Sequence, residues 1–249
     1  MRYAVLPDTL TPKNLGATQT KSKCSTCSLR ELCLPVGLNE PEVEILGDLV
    51  NHKCLIQRGE YLHRTGSSFK SLYAVRRGFF KTCILEKDGR QQVTSFHMTG
   101  ELIGLDAIST ELHTCDAIAL EDSEVCEIPF AKLEETGRNI PSLMHHFHKI
   151  MSREIVKDHG VMMLLGSMKA EERLATFLLN LSHRFFKRGY SSSDFVLRMT
   201  REEIGSYLGL KLETVSRAFS KLQEEGIITV NNKHIHIKDI DRLRGKIGG

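Results

Sequence analysis

Between about residues 53 and 130 the chain alternates apolar and polar positions over short stretches. LYAVRRG, FFKTCILEKDG and QQVTSFHM are among them, and Arg58-Gly59, Gly66-Ser67, Gly78 and Gly100 interrupt the pattern. A period of two with β-branched and aromatic residues predicts short strands. Lys87-Asp88-Gly89 reads as a hairpin turn between two of them. Many short strands with frequent turns predict an antiparallel roll or barrel. On either side the period lengthens. Asn39 is placed to cap a short helix, EPEVEILGDLV. Pro141 opens a long helical stretch in which Leu143, Phe147, Ile150, Met151, Ile155, Met162 and Leu165 recur at three- and four-residue steps. Such a stripe can pack on its own domain or form a coiled-coil-like seam between two chains. A helix of about 25 residues exceeds what one small roll can cover, which favours the seam. Residues 170–188 form a further helix ended by Gly189, and a short strand, FVLRM, follows.

The next segment carries the most specific pattern. Thr200 with Glu203 three residues on is a capping box and starts a helix. Gly209 supplies the left-handed backbone for a sharp turn, and a second helix runs from near Leu212 to Glu225. Gly205 lets the two helices approach, and Ile204, Leu208, Val215 and Leu222 face their shared core. Those features together predict a helix-turn-helix. Glu213, Thr214, Ser216, Arg217 and Lys221 lie on or beside the outer face of the second helix. Arg can donate two bonds to guanine, Glu can accept from cytosine, and Ser can serve a base edge or a phosphate. Beyond Gly226, IITVNNKHIHIKD predicts a hairpin, or wing, around Asn231-Asn232. Lys233 and His234 at its tip are either phosphate contacts or solvated residues.

Charge changes the picture modestly. The 249 residues carry a net charge of +3, but the part from Lys169 onward holds 15 Lys/Arg against 10 Asp/Glu, so the basic excess sits beside the helix-turn-helix. That fits a polyanionic partner. No apolar run approaches the roughly 20 residues of a membrane span, and the first residues lack the pattern of a secretory signal. A cytoplasmic protein without membrane contact is expected. Residues 1–23, with Pro7, Pro12 and Gly16, read as a poorly ordered lead-in.

Cysteine usage adds a second chemistry. Cys24, Cys27 and Cys33 form C-x2-C-x5-C, while Cys54, Cys83, Cys115 and Cys126 are dispersed. Clustered cysteines in a chain without an export signal read as metal ligands rather than disulfides. Zinc and iron–sulfur sites usually take four ligands. The fourth must come from Cys54, Cys83, Cys115, Cys126 or a nearby His. Spacing alone does not separate zinc from iron–sulfur.

The chain resembles the fumarate-and-nitrate-reduction regulators (FNR), a branch of the cyclic-AMP receptor protein superfamily. The resemblance runs from Cys24 to about Asp239 and rests on CSTCSLRELC, SLYAVRRG, GELIGLDAI, VCEIPF, AEERLATFLLNLS and TREEIGSYLGLKLETVSR. It implies an α+β architecture: an N-terminal cysteine arm (1–34), an antiparallel, cyclic-nucleotide-binding-like β-roll (35–137), a long dimerisation helix (138–168) and a C-terminal winged helix-turn-helix (169–249). It implies one [4Fe–4S] cluster per subunit on Cys24, Cys27, Cys33 and Cys126, with Cys115 the rival outside the matching motif. Oxygen is then expected to degrade the cluster to [2Fe–2S] and to separate the dimer.

Further implications concern the partners. Glu213, Ser216 and Arg217 would read double-stranded DNA at a two-fold pair of TTGAT-type half-sites. Two reading helices in a dimer stand one helical turn apart, roughly 34 Å. The homodimer would activate or repress genes of anaerobic metabolism, with RNA polymerase touching loops of the roll. Asp158 matches by position an acidic residue that opposes dimerisation, and Ile155 an apolar one that helps it. Two facing aspartates repel, and burying them costs more. His145, His146 and His148 depart from the family's pattern at the start of the long helix, where they can weaken the seam or make it pH-sensitive.

Three other readings compete. Gly100-Glu101-Leu102 resembles the start of the superfamily's cyclic-phosphate segment. The Arg and small hydroxyl residue that should follow are replaced by His113-Thr114-Cys115-Asp116-Ala117, so no cyclic nucleotide is expected. An enzyme is not expected either, since the chain has no nucleophile elbow, phosphate-cradling glycine loop or HExxH. A structural zinc arm would leave the protein colourless and stable in air.

Overall fold

The computed structural model describes residues 24–247, apart from residues 51, 86–88 and 90. The lead-in and most of the Lys87-Asp88-Gly89 turn lie outside the described residues. Two compact units divide between Arg153 and Glu154.

The first unit opens with turns that begin at Cys24–Thr26 and lead to α1 (Glu40–Leu49). Asn39 caps α1 as the sequence predicts: its side chain accepts from the Glu42 N–H at 3.0 Å, and Glu42 returns the bond to the Asn39 N–H at 2.9 Å. Eight strands follow: β1 (His52–Ile56), β2 (Tyr61–His63), β3 (Ser71–Arg77), β4 (Phe79–Leu85), β5 (Gln91–Met98), β6 (Leu102–Ile103), β7 (Asp116–Ala119) and β8 (Ser123–Pro129). They form two antiparallel sheets, β1-β8-β3-β6 and β2-β7-β4-β5. Ile56, Val75, Phe80, Ile103, Ala117, Ala119 and Val125 from both sheets share one buried core. Buried positions come in adjacent pairs on β3 and β4 rather than in strict alternation, and burial of each large apolar side chain contributes about 1.5–3 kcal/mol. Gly59, Gly66, Gly78 and Gly100 all take positive φ at the expected turns.

A helix that the pattern did not predict, α2 (Phe130–Asn139), separates β8 from α3 (Pro141–Ser167). Its only fully buried apolar residue is Leu133, so its periodic signal is short. The roll's strands therefore end at Pro129. The start of α3 belongs to the first unit. There Leu143 and Phe147 pack with Leu34, Leu46, Leu72, Ile128 and Leu133.

The second unit contains the rest of α3, then α4 (Ala170–Phe186), β9 (Asp194–Val196), α5 (Arg201–Leu208), α6 (Leu212–Glu224), β10 (Ile228–Asn231), β11 (His234–Ile237) and α7 (Ile240–Arg244). The wing is a three-stranded antiparallel sheet ordered β10-β11-β9. Leu174, Leu178, Leu181, Ile204, Leu208, Val215, Phe219 and Leu222 are all buried. These positions fall at helical spacing, which is why three helices form where the sequence predicts them. Among the described residues no helix is long and apolar enough to cross a membrane.

Candidate functional site

Two sites stand out, one in each unit. In the first, Cys24, Cys27 and Cys33 sit on consecutive turns. The Cys27 N–H donates to the Cys24 carbonyl at 3.2 Å, and the Cys33 N–H to the Leu29 carbonyl at 3.0 Å. Cys126 comes from β8, where it pairs with Lys53 on one side and Ala74 on the other. All four line a single cleft with about 450 Å³ of non-atom space, open to solvent, whose wall includes Leu34, Leu46, Arg30 and Arg76. Leu32 seats the arm on the roll over Gly100, where an added Cβ would stand 2.8 Å from the leucine Cβ.

The electrostatics of this cleft oppose bare thiolates. Burial, then the charges of Cys126 and Cys27, push the Cys24 thiol up to about 11. Burial pushes Cys33 up to about 12, with the same neighbours adding to it against one backbone hydrogen bond. Arg76 faces the cleft and holds Glu124 through one amino group at 2.7 and 2.8 Å. Arg30 is tied to the Leu38 carbonyl at 3.3 Å. Both guanidiniums that border the four thiols are thus paired with carboxylates, Arg30 with Glu40 and Arg76 with Glu124.

The other cysteines go elsewhere. Cys83 is buried on β4, and Cys115 is buried just ahead of β7, both in the opposite sheet from Cys126. Cys54 lies on β1 across from Val125, close enough to Cys126 for that charge to act on it, but it does not line the cleft. None of the seven, all among the described residues, is in a disulfide.

The second site is built on backbone geometry. The Thr200 hydroxyl accepts from the Glu203 N–H at 3.1 Å, and Glu203 accepts from the Thr200 N–H at 2.7 Å. Gly209 ends α5 in the left-handed region at φ +62°. A Cβ on Gly205 would stand 2.6 Å from the Leu210 carbonyl oxygen, so only glycine lets the turn close against α5. This fixes α6 with Val215, Ala218, Phe219 and Leu222 inward and Glu213 and Arg217 exposed; Ser216 is half-buried between them. Lys221, expected on the outer face, instead pairs with Glu171 of α4 at 2.6 Å and ties α6 to its scaffold. Lys233 and His234 also have partners: Lys233 reaches the Arg198 carbonyl at 3.5 Å, and His234 bonds Asp194. The hydrogen bond from His234, then that from His236, holds the Asp194 carboxyl below its usual range.

Comparison with known proteins matches this geometry. Residues 54–139 match the family described as "Cyclic nucleotide-binding domain", and residues 172–245 the "Crp-like helix-turn-helix domain". The transcriptional regulatory protein btr of Bordetella pertussis is 45% identical over 90% of this chain and 93% of its own. The fumarate and nitrate reduction regulatory protein of Yersinia pestis is 44% identical over 88% of each. The chain belongs to the FNR family of the Crp superfamily. Its α+β fold is shared with the solved structure of FixK2 from Bradyrhizobium japonicum, at 30% identity and a TM-score of 0.73 over 79% of this chain and 97% of that one. A member of this family is a DNA-binding transcription regulator, not an enzyme.

The remaining predicted residues of this FNR-family chain lie on α3. Ile155 is 56% exposed, Val156, Met162 and Met163 are more so, and Asp158 is exposed among them. Leu164 is buried. His146 turns inward and hydrogen-bonds the Cys33 backbone, whereas His145 and His148 stay on the surface. Burial, then Arg153 and Lys149, lowers the His146 pKa. Sequence reasoning missed His63 and Asp106, which the fold brings beside His113. Each reads alone as an isolated polar residue in a strand or turn.

Gly205→Val is expected to force α5 and α6 apart, costing about 1–3 kcal/mol as overpacking does. Thermal unfolding should shift to lower temperature, and affinity for specific DNA should fall about tenfold or more; unchanged values for both would show that the turn has room for a side chain.

Proposed function

We propose that this protein is an oxygen-responsive, cytoplasmic regulator of genes for anaerobic metabolism. One [4Fe–4S] cluster per subunit would be held by Cys24, Cys27, Cys33 and Cys126. The observation that carries the reading is the convergence of these four thiols, and of no other cysteine, on one cleft. Relatives named for fumarate and nitrate reduction supply the physiological setting. The donor set fits the group. Four cysteines are the usual ligands of such a cluster.

When bound, the cluster supplies an oxidisable iron–sulfide centre. The chain's own residues supply the response. Binding requires the cysteines as thiolates, whose charge the metal offsets. Cys24, Cys33 and Cys126 pack against the same core as Leu143, Phe147, Ile150 and Met151 at the start of α3. Cys33 is also hydrogen-bonded to His146 of that helix. Release of the thiols loosens the arm where it braces α3. The exposed Ile155, Val156, Met162 and Met163 would form the seam with a second copy, and Asp158 would hold that seam near its threshold. The dimer would present Glu213, Ser216 and Arg217 to base edges of two TTGAT-type half-sites and meet RNA polymerase through loops of the roll. No cyclic nucleotide is required: Asp116 occupies the segment where an anion would need donors, and its carboxylate already accepts from the Thr65 N–H at 2.8 Å.

The deciding experiment is a visible spectrum of protein purified under nitrogen, followed on admission of air. A broad absorption band that decays in air is expected. Cys126→Ala should abolish the band and Cys115→Ala should retain it; the reverse pattern would overturn the ligand assignment, and a featureless spectrum after reconstitution would leave a zinc arm. Asp158→Ala should keep DNA binding in air, measured by mobility shift, and unchanged oxygen sensitivity would remove Asp158 from the switch. Arg217→Ala should weaken specific binding by about 1–3 kcal/mol and relax preference at one base pair. A uniform loss over all sequences would make Arg217 a phosphate contact.

A further inference from the structure

The roll contains a second constellation of ligand-type side chains. His63, Asp106 and His113 each direct one donor atom to a point where all three lie within 4.8 Å of one another. They come from three segments. His63 ends β2, just past a shift in register against β7 that re-aims its side chain. Asp106 sits in the turn after Gly104. His113 lies in the connection before β7, with its N–H donating to the Ser67 carbonyl at 2.9 Å and its own carbonyl accepting from Gly66 at 2.7 Å.

The donors are prepared rather than incidental. The Thr114 N–H and hydroxyl bond one Asp106 oxygen, Oδ2, at 2.7 and 3.2 Å, which leaves Oδ1 facing His113 Nδ1 at 3.6 Å. The two imidazoles stack 3.6 Å apart and 13° from parallel, so one ring must turn out of the stack to share an ion, and Phe69 meets His113 edge-on. His63 is 8% exposed and His113 4%. Both ring nitrogens of His63 and Nδ1 of His113 are buried without a protein hydrogen-bond partner. An unsatisfied buried polar atom costs about 1–3 kcal/mol, and three on two adjacent rings call for a ligand. Burial, then the neighbouring His113, holds His63 neutral, its pKa down to about 4, so its lone pairs are available.

We propose that His63, Asp106 and His113 form a binding site for a zinc-class divalent cation, separate from the cysteine cleft. Two imidazoles and a carboxylate are the usual partners of zinc and its neighbours, and imidazole disfavours magnesium and calcium. Thr114 orients the carboxylate as an outer-shell residue does in metal sites. The Cys115 thiol lies against Asp106 but outside the three-donor group, so water would complete the shell. The ion would clamp β2, the Gly104 turn and the approach to β7 into one unit. The segment where the superfamily would bind a phosphate thereby becomes a cation site.

The test is zinc bound per full-length chain after equilibration with zinc chloride and removal of excess metal. His63→Leu and Asp106→Asn should each retain one zinc fewer than the wild-type chain, and zinc should raise the thermal midpoint less in both. Equal zinc in all three would overturn the proposal. Zinc X-ray absorption of full-length Cys24→Ser/Cys27→Ser protein decides the question even where those variants fail to fold. A shell of nitrogen and oxygen with at most one sulfur is expected; a shell of several sulfurs, or no retained zinc, would overturn it.

Discussion

In the proposed function the response depends on the cost of keeping four thiols together at one half-buried point. Burial and mutual repulsion push the Cys24 and Cys33 thiols up to about 11 and 12. Left to themselves they stay protonated and neutral near pH 7. Gathered round the proposed cluster they would become thiolates, and the interaction that was repulsive would hold the arm in place. Leu32 and Leu34 are the arm's apolar anchors, and Arg30 ties it to Glu40 and Leu38, and Cys33 to His146.

The arm's position gives that cost a consequence. The cysteines do not form an appendage. Three of them pack on the core that also buries Leu143 and Phe147. A change there acts on the first turns of α3 through side-chain packing and through the His146 bond to Cys33. The same helix leaves Ile155, Val156, Met162 and Met163 exposed further along. In the proposed dimer these four apolar residues would form the seam and Asp158 would weaken it. A modest shift in the helix would then change the dimer population by a large factor, since about 1.4 kcal/mol is tenfold.

Much of this was legible in the sequence because it rests on local rules. Thr200 and Glu203 cap a helix whatever surrounds them, and Gly205 and Gly209 allow only a close, left-handed turn. Alternation and turn glycines identified the strands for the same reason. What could not be read was pairing at a distance. C-x2-C-x5-C left the fourth ligand open, because Cys126 reaches the arm only through the order β1-β8-β3. Lys221 looked like a free reading residue because its partner Glu171 lies on another helix. His63 and Asp106 carried no signal, since neither spacing nor period relates a strand end to a turn that far away.

Placing the histidines and Asp106 also bears on how the superfamily's roll is used here. A roll that encloses a polar pocket between two sheets must fill that pocket, satisfy it or line it with apolar residues. Here Asp116 caps the Thr65 N–H, and Thr114 satisfies half of Asp106. The two stacked imidazoles remain the part that protein contacts do not satisfy. The cysteine cleft and the histidine pocket lie in the same unit but draw on opposite sheets, Cys126 on one and His63 on the other. Stiffening one sheet's edge does not require the other's ligands. As proposed, two inputs would share one roll and both reach the core of α3, the cysteine cleft directly and the histidines through Phe69 and Phe130.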